Sequence, residues 1–501
     1  MPKIKQDLFQ LIKSLDRNEK GYFKKYTQLH SSNQKNSNGY IRLFDAIDAM
    51  DEYDETILKK KFANEKFIRQ LFVMKNYLYN SILKSLRNYS SESTDNLKIL
   101  TNIKNTEILI RKGQYEKALE YIHSTKQYAL KREFWGYVNE LIEMERSIYN
   151  IHRKANAFES VAQLNREKRE VMDMLKNDID YTDLSYKFTS ISYKYRNIIP
   201  AEGLKQIKKY GTSGLLMKED NAKSIYTKGM YSSLKGLYLS IVGKQDKIYP
   251  EAFKSFELLK NNPFAIQKYP ASYFTKANNL GTTLVRSKRY DELKELLNEV
   301  SGFEHLYKYR LNSKLKGLQF SFISRFQLVY FSNTFQFENG VKYLKSIKND
   351  FELFKKDISA DALNSFHFYS VNLYILSNRY RDAISCLNEI LVFNKSTFFQ
   401  DLNSIAKYVL LIMHYELESK KMFNYVNSLF KTDESIEPLD FLKARLPSVQ
   451  NKKEEKEVFI EFKKRLLASK NRKMIRAIFD FESWAESKIQ NKPFAKIVQS
   501  N

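Results

Sequence analysis

The sequence predicts an all-α protein, an α-solenoid of antiparallel helix hairpins with a small helical N-terminal region and C-terminal capping helices. Helix breakers are scarce: the 501 residues include eight prolines and fourteen glycines, where average usage gives roughly 25 and 35. No proline occurs between Pro2 and Pro200. A recurring helix-turn-helix motif is the second observation. Together with a length too great for one ordinary core, it favours a modular array.

Residues 1–89 predict the small helical N-terminal region. Asp16 and Glu19 form a D-x-x-E capping pattern at the start of a helix. Residues 30–39, HSSNQKNSNG, predict a polar loop, because they lack apolar periodicity. Residues 67–89 predict one long helix with a stripe of apolar residues.

The motif is clearest in the segment RKGQYEKALEYI. Gly113 predicts the turn of a hairpin, and Tyr115 opens the second helix. We expect the Tyr115 ring to pack back on the first helix. The small Ala118, three positions later, allows the two helices to approach, and Ile122 continues the apolar face.

The aromatic residue of this motif recurs along the chain. It falls at Tyr115, Phe158, Tyr249, Tyr290, Phe337, Tyr380 and Phe423. Successive steps are 43, 91, 41, 47, 43 and 43 residues, so the long step predicts one degenerate copy near residues 196–210. A period of 41–47 residues per helix pair is typical of an α-solenoid, in which each hairpin stacks on its neighbours.

Gly113, Tyr115, Ala118 and Ile122 resemble the turn and second helix of a tetratricopeptide (TPR) repeat. A second copy resembles nearly the whole TPR pattern through Leu280, Gly281, Leu284, Tyr290, Leu293 and Leu297. TPR units have 34 residues, so the resemblance implies TPR-like stacking with elongated helices. The whole chain also looks like uncharacterised bacterial TPR-like proteins, a resemblance that implies no activity.

Three regions follow from these patterns. Small polar residues at 90–96 separate the N-terminal helical region, 1–89, from TPR-like repeats at 97–430. Residues 431–501 predict capping helices, because an open solenoid end would expose apolar surface.

The charge balance favours an acidic partner. Lys and Arg number 84 and Asp and Glu 58, a net charge of +26, which suits acidic proteins, nucleic acid or anionic membrane surfaces. A lysine-rich solvated surface is an open alternative. Cys386 is the single cysteine, so an intrachain disulfide is excluded, and a reducing cytoplasm fits. We expect a cytoplasmic location, since the sequence starts without a secretory signal and has no membrane-length apolar run.

Catalytic and cofactor motifs are missing from the sequence. It has no P-loop, no G-x-G-x-x-G, no H-E-x-x-H and no closely spaced cysteines. We therefore expect no enzyme activity, no cofactor and no metal. Cys386 predicts a buried structural thiol. The acidic run at 48–55 favours a helix end followed by a capped helix start over a calcium loop.

The TPR resemblance implies a concave groove lined by the first helix of each repeat. In TPR domains that hold a peptide carboxylate, Lys, Arg and Asn occupy groove positions. The matching positions here are Arg146, Asn150 and Arg153 in one repeat and Asn278, Thr282 and Arg286 in another. The hypothesis is a non-catalytic scaffold or adaptor that docks a partner segment in this groove. An ordinary solvated face is the open alternative.

Nucleic-acid binding or regulation through a basic N-terminal module is the second hypothesis. The helix at 67–89 interleaves Arg69, Lys75, Lys84 and Arg87 with aromatic residues. Basic side chains contact phosphates and aromatic rings stack on bases. Most of the apolar residues of this helix, however, fit a core stripe.

Overall fold

The computed structural model describes residues 4–30, 34–89, 94–151, 157–195, 199–393, 400–430 and 436–500. The chain is 84% helical, and no strand occurs in these ranges. The all-α prediction is therefore confirmed.

The chain divides into two compact units, residues 1–172 and 173–501. The first unit contains eight helices of the described ranges and the start of a ninth. These are α1 (Ile4–Ser14), α2 (Arg17–His30), α3 (Gln34–Asp48), α4 (Glu55–Lys61), α5 (Leu71–Tyr89), α6 (Asp95–Arg111), α7 (Tyr115–Lys131), α8 (Trp135–Ile151) and α9 (Ala157–Tyr195).

The second unit contains the end of α9 and the helices that follow it in the described ranges. These are α10 (Ala201–Gly211), α11 (Gly214–Met217), α12 (Ile225–Ile241), α13 (Ile248–Lys260), α14 (Pro263–Lys268), α15 (Pro270–Arg286), α16 (Tyr290–Ser301), α17 (Phe303–Tyr307), α18 (Ser313–Asn333), α19 (Phe337–Ser346), α20 (Lys348–Phe354), α21 (Ala360–Leu376), α22 (Tyr380–Phe393), α23 (Gln400–Glu416), α24 (Lys420–Ser428), α25 (Leu439–Arg445), α26 (Lys452–Ala468), α27 (Arg472–Ile478), α28 (Phe481–Gln490) and α29 (Phe494–Ser500).

Two of the predicted caps are present. The Asp16 carboxylate accepts from the Glu19 backbone N–H at 2.9 Å, and Glu19 accepts from the Asp16 N–H at 2.8 Å. This reciprocal pair is a capping box. The acidic run is a helix end and a capped start, as predicted: α3 ends at Asp48, and Asp54 caps α4 by accepting from Thr56 N–H at 2.7 Å.

The polar loop predicted at 30–39 is wrong for residues 34–39, which form the first turns of α3. Residues 31–33 lie outside the described ranges. The propensities of Gln, Lys, Asn and Ser differ from that of Ala by about half a kcal/mol each, so packing can override them. Gly39 lies against Phe67 and Met74, and this contact holds the start of the helix.

The hairpin turns share one geometry. A residue with left-handed backbone stands at Gly113, Glu133, Gly243, Lys288, Phe335, Asn378 and Glu418. In each turn the next residue donates its N–H to the carbonyl five positions back, for example Gln114 to Leu109 at 2.9 Å and Arg289 to Leu284 at 2.9 Å. This is the Schellman motif, which satisfies the last carbonyls of the first helix. The alignment of Lys288 with Gly113 is confirmed by their shared backbone conformation.

The predicted aromatic opens a helix in four of these hairpins. α7, α16, α19 and α22 begin at Tyr115, Tyr290, Phe337 and Tyr380. In each, the motif residue three positions later is buried.

Between α8 and α12 the structure departs from the repeat pattern. Phe158 is 89% exposed, so its predicted packing role is wrong. Helix α9 runs for 39 residues, about twice the length that the period predicts. The degenerate copy predicted near 196–210 falls partly on residues 196–198, which lie outside the described ranges, and its described part is α10.

Close helix packing requires glycine at two positions. A Cβ on Gly281 of α15 would lie 2.7 Å from the Phe326 ring of α18. A Cβ on Gly340 of α19 would lie 2.8 Å from the Leu373 side chain of α21. At these two positions α15 packs tightly against α18, and α19 against α21. The region boundaries at 89, 97 and 430 stay predictions.

Candidate functional site

A cleft of about 610 Å³ lies in the second unit, among the C-terminal part of α9 and helices α12, α13 and α15, and both apolar and polar side chains line it. Among the described residues that line it, eleven of twenty-one carry a hydroxyl group. Two, Lys276 and Arg286, are cations, and none is Asp or Glu. The lining is therefore rich in neutral oxygen atoms and carries only positive charge.

Helix α12 presents small residues to this cleft. Gly229, Ser233, Gly236 and Ser240 follow one another at steps of four, three and four, so they share one helical face. Their short side chains leave space above the helix, and this space forms one side of the cleft.

Helix α15 presents larger polar residues opposite. Ser272, Lys276, Asn279, Thr283 and Arg286 line the cleft at steps of four, three, four and three. The neighbouring stripe of α15, which includes Tyr273, Ala277 and Leu280, is buried in the hydrophobic core.

Lys276 lies at the bottom of the cleft, with 6% of its surface exposed. Its amine donates to the Gly229 carbonyl at 2.8 Å and to the hydroxyls of Ser233 and Ser255, both at 3.0 Å. No carboxylate of the described chain lies within ion-pair distance of this amine. Three neutral oxygen atoms thus surround a buried basic group.

Burial lowers the pKa of Lys276 to about 7. The ordinary pKa of lysine is about 10.4, and removing the ammonium from water disfavours its charged form. At neutral pH the two protonation states therefore have similar populations.

The Gly229 carbonyl has more donors than it can accept. It receives the Lys276 amine and the hydroxyls of Ser233 at 2.9 Å and Ser255 at 3.0 Å, in addition to the N–H that bonds a mid-helix carbonyl. A carbonyl has two lone pairs. The two serine hydroxyls also lie 2.9 Å from each other, so one can donate to the other when the carbonyl is occupied.

Glycine at 229 makes room for the amine. A Cβ at this position would lie 3.2 Å from both Cε and Nζ of Lys276. The sequence thus places a residue without a side chain where the lysine must approach the backbone of α12.

Arg286 lies at the other end of the lining face of α15. It is exposed, and its guanidinium is 3.5 Å from the Ser240 hydroxyl, a weak contact. Thr282 lies one turn before it and donates to the Asn278 carbonyl at 2.8 Å. Arg325 of α18 approaches Thr282 at 3.5 Å, and burial lowers the pKa of this arginine. The described chain offers neither Arg286 nor Arg325 a carboxylate at ion-pair distance.

The structure brings together some of the predicted groove residues. Thr282 and Arg286 line the cleft, whereas the neighbouring Asn279, not Asn278, does so. In the first unit, α8 carries Arg146, which is ion-paired with Glu143, and Asn150, which is exposed. Arg153 lies outside the described residues.

The sequence did not predict a role for Lys276, Ser233 or Ser255. A signal was available: Lys276 lies three residues after Tyr273 and four before Leu280, at a core-facing position where lysine is rare unless it has a partner. The small-residue stripe from Gly229 to Ser240 was a second signal. Neither signal could indicate that Lys276 and the small-residue stripe of α12 would be in contact.

A neutral lysine 3.0 Å from a serine hydroxyl is a geometry that can activate a nucleophile. Ser233 and Ser255, however, occupy mid-helix positions in α12 and α13, where the backbone N–H groups are used in helical hydrogen bonds. They offer no pair of backbone donors for an oxyanion. The arrangement therefore suits binding better than acyl transfer.

A second pocket, of about 330 Å³, lies in the first unit and has a different charge pattern. Lys126 bridges Glu145 at 2.8 Å and Glu167 at 2.9 Å, and His123 contacts Glu145 at 2.9 Å. Here the buried charges are matched within the protein.

The described residues contain no cluster of His, Cys, Asp or Glu that could hold a metal ion. Burial, followed by the charges of Glu389 and Asp382, raises the pKa of the Cys386 thiol to about 12. The thiol therefore stays protonated, in agreement with a structural role.

In the ranges that the structure describes, no helix has both the length and the apolar character to span a bilayer. Comparison with known proteins gives no relatives: no protein-family model matches the chain, and no curated protein or solved structure matches it either.

Proposed function

We propose that this protein is a non-catalytic scaffold or adaptor, a TPR-like α-solenoid with elongated repeats that docks an acidic segment of a partner protein in the cleft along α15. The observation that carries the proposal is the charge of the cleft. Its described lining holds Lys276 and Arg286 and no carboxylate. An anionic ligand would supply the missing negative charge.

The spacing of the hairpin turns supports the repeat architecture. In the second unit the left-handed residues of the hairpin turns stand at 243, 288, 335, 378 and 418, so they are 45, 47, 43 and 40 positions apart. Lys308 and Asn491 are also left-handed and follow α17 and α28. The two helices of a pair pack on each other, as α12–α13 and α15–α16 do, and successive pairs are in contact through α13–α15, α15–α18 and α16–α18. Stacked helix pairs of this kind offer extended binding surfaces.

The distance between the two cations of the lining determines how far apart the acidic groups of a matching ligand must be. Lys276 and Arg286 are ten residues apart on one helix, which corresponds to about 15 Å at 1.5 Å per residue. An extended peptide spans roughly 3.3 Å per residue. A segment with acidic groups about four or five residues apart would reach both positions.

The compartment and the remaining groove residues belong to the same proposal. A chain whose single cysteine is a protonated thiol fits the reducing cytoplasm. Arg146 and Asn150, on α8 of the first unit, stay predicted groove residues of that unit, with Arg146 less available because of its Glu143 partner.

A charge-reversal pair tests the docking site. Arg286→Glu places a carboxylate in the cleft, whereas Lys294→Glu makes the same charge change at an exposed position of α16 outside the cleft lining. Partners captured by the wild-type protein and by both variants are compared quantitatively. We expect the captured amount of a partner with an acidic segment to fall at least tenfold with Arg286→Glu and to stay unchanged with Lys294→Glu. Equal capture by both variants would exclude this cleft.

Nucleic-acid binding by α5 is the second candidate. One observation favours it: Arg69, Lys84 and Arg87 are exposed, together with the rings of Phe72 and Tyr77. Exposed rings beside cations suit stacking on single-stranded bases.

The prediction must be revised at Lys75, because its amine is buried and paired with Glu55 at 2.7 Å. The test is the affinity for single-stranded RNA as a function of salt, with Lys84→Glu as the variant. Phosphate contact requires a steep loss of affinity as salt rises, and a flat profile would eliminate the candidate.

A further inference from the structure

The pocket at the bottom of the cleft holds a cationic group without a counter-ion. Lys276 is almost fully buried and bonded only to the oxygen atoms of Gly229, Ser233 and Ser255. Buried lysines are ordinarily paired with a carboxylate. A ligand anion would complete the arrangement.

The serine hydroxyls can connect such an anion to the amine. Each serine oxygen accepts from Lys276, and each hydroxyl has one hydrogen to donate. The Gly229 carbonyl is over-supplied with donors, and the two hydroxyls lie 2.9 Å apart. A ligand oxygen would therefore accept one of these hydrogens in place of the bond between the serines or of one bond to the carbonyl. Ser233 is half-buried, so its hydroxyl is the more accessible of the two.

The charge of the pocket favours a carboxylate over a phosphate as the bound anion. One buried ammonium balances one negative charge, which a carboxylate carries. A phosphate monoester carries about 1.5 to 2 negative charges at pH 7 and would bring an uncompensated excess into a buried place. Phosphate sites also favour arginine forks or free backbone N–H groups, whereas the donors at this pocket are an amine and hydroxyls.

Few other titratable groups face Lys276. Of the described residues that line the cleft, α12 contributes Tyr226, α15 contributes Arg286, and α9 and α13 contribute none. Two further carboxyl groups, on α9 and α13, lie outside the lining. Asp178 accepts from Ser224 at 3.1 Å, whereas Glu251 interacts with Ser232 and its Oε2 is buried without a hydrogen-bond partner among the described residues. Burial raises the pKa of both carboxyl groups.

We propose that the pocket formed by Lys276, Ser233 and Ser255 binds one carboxylate group of the docked acidic segment and that Lys276 takes up a proton from solvent as it does so. The inference rests on the proposed function for the source of the ligand. The bound carboxylate stabilises the ammonium, so the neutral amine gains one proton and no covalent bond changes.

Binding of the carboxylate should therefore weaken as pH rises. Free Lys276 loses its proton around pH 7. Above that pH each unit makes protonation about tenfold less favourable. We expect the affinity at pH 9 to be roughly 50-fold lower than at pH 7, as long as the bound amine remains protonated.

Acetate is the small probe for the pocket alone. The pKa of Lys276 is measured from the pH dependence of its trace labelling by acetic anhydride, followed by mass spectrometry, in sodium chloride and in sodium acetate of equal ionic strength. We expect acetate to raise the pKa of Lys276 and to leave the labelling curve of Lys75, whose counter-ion is internal, unchanged. Identical curves for Lys276 in the two salts would overturn the proposal.

An octaglutamate peptide is the probe for the segment, with octaglutamine as its control. Its affinity is measured at pH 7 and pH 9 for the wild type, Lys276→Met, Gly229→Ala and Arg286→Glu. We expect the pH dependence to disappear with Lys276→Met and to diminish with Gly229→Ala, which displaces the amine but keeps it. Arg286→Glu should weaken binding at both pH values and preserve the pH dependence.

The two probes separate the inference from the proposed function. If acetate shifts the pKa of Lys276 but octaglutamate does not bind, the pocket is supported and acidic-segment docking fails. If octaglutamate binds through Arg286 without pH dependence and acetate has no effect, docking is supported and the carboxylate pocket fails. No response to either probe would reject both.

Discussion

Among the described residues two lysines are buried, one in each unit, and their surroundings differ. Lys75 on α5 donates to the Glu55 carboxylate at 2.7 Å and to the Tyr53 hydroxyl at 3.2 Å. Lys276 on α15 contacts a carbonyl and two serine hydroxyls. The first cation has its counter-ion within the fold, and the second has none in the described chain.

The contrast between the two lysines distinguishes a buried charge that stabilises the fold from a buried charge that binds a ligand. An internal carboxylate offsets most of the desolvation cost of an ammonium, so Lys75 needs nothing from outside. At Lys276 only neutral oxygens oppose that cost, and the position also opens into a cleft. Burial of a charge thus points to a ligand only when the protein itself does not neutralise it.

The largest expected effect is the pH dependence of stability at Lys276. The unfolded chain has the ordinary lysine pKa and binds more protons between pH 7 and 10, so this group's contribution is full above about pH 10.4 and is lost as pH falls to 7. The unfolding free energy of the wild type relative to Lys276→Met should rise by roughly 4 kcal/mol from pH 7 to above pH 10. Urea titrations followed by circular dichroism measure it. Parallel pH curves for the two proteins would contradict the assignment.

The same substitution at the other lysine should have a different result. Lys75→Met removes from the mostly buried Glu55 the cation that lies 2.7 Å away, while Lys59 at 3.3 Å remains. We expect a loss of about 2 kcal/mol at pH 7, because the Glu55 carboxylate loses its buried ion-pair partner. The double variant Lys75→Met with Glu55→Gln should recover part of it. The comparison breaks down if Lys75→Met is tolerated as well as Lys276→Met at pH 7.

Substitution of one glycine in each unit by alanine tests the same contrast. The Cβ that Gly39→Ala adds would lie 3.6 Å from the Met74 side chain, an ordinary contact. The Cβ that Gly229→Ala adds would lie 3.2 Å from the Lys276 amine. In a helix the change to alanine gains about 0.5–1 kcal/mol. Thermal unfolding should show this gain for Gly39→Ala and its absence for Gly229→Ala. Equal gains would mean that Gly229 is not needed to seat the amine.

The smallest effect concerns equivalent turns of the two units. Lys288 adopts φ +56° and Gly113 φ +70°, a conformation that costs a non-glycine residue roughly 1 kcal/mol. We expect Lys288→Gly to stabilise by somewhat less than this amount and Gly113→Lys to destabilise by a similar amount. Unfolding midpoints report both, and a loss of stability with Lys288→Gly would show that its side chain has another role.

The sequence predicted the helical class and the hairpin turns because these depend on local signals. Tyr290 and Phe337 open helices where the motif places them, and the conformation of Lys288 follows from its alignment with Gly113. The long α9 was not predicted, since nothing local distinguishes a break from a continuous helix there.

The candidate site was predicted only in part. Thr282 and Arg286 were found because the TPR resemblance places groove residues at these positions of α15. Lys276 could not be assigned a role from the sequence, because its partners Gly229, Ser233 and Ser255 belong to other helices. Whether a buried lysine has a counter-ion is settled by tertiary packing, as the contrast with Lys75 shows.

The most direct test of the cleft as a carboxylate site is the number of protons taken up when octaglutamate binds. Calorimetric titrations at pH 7 in buffers of different ionisation enthalpy give this number. With half of Lys276 protonated before binding, we predict an uptake of about half a proton for the wild type and none for Lys276→Met. Binding without proton uptake at pH 7 and at pH 8 would contradict the account.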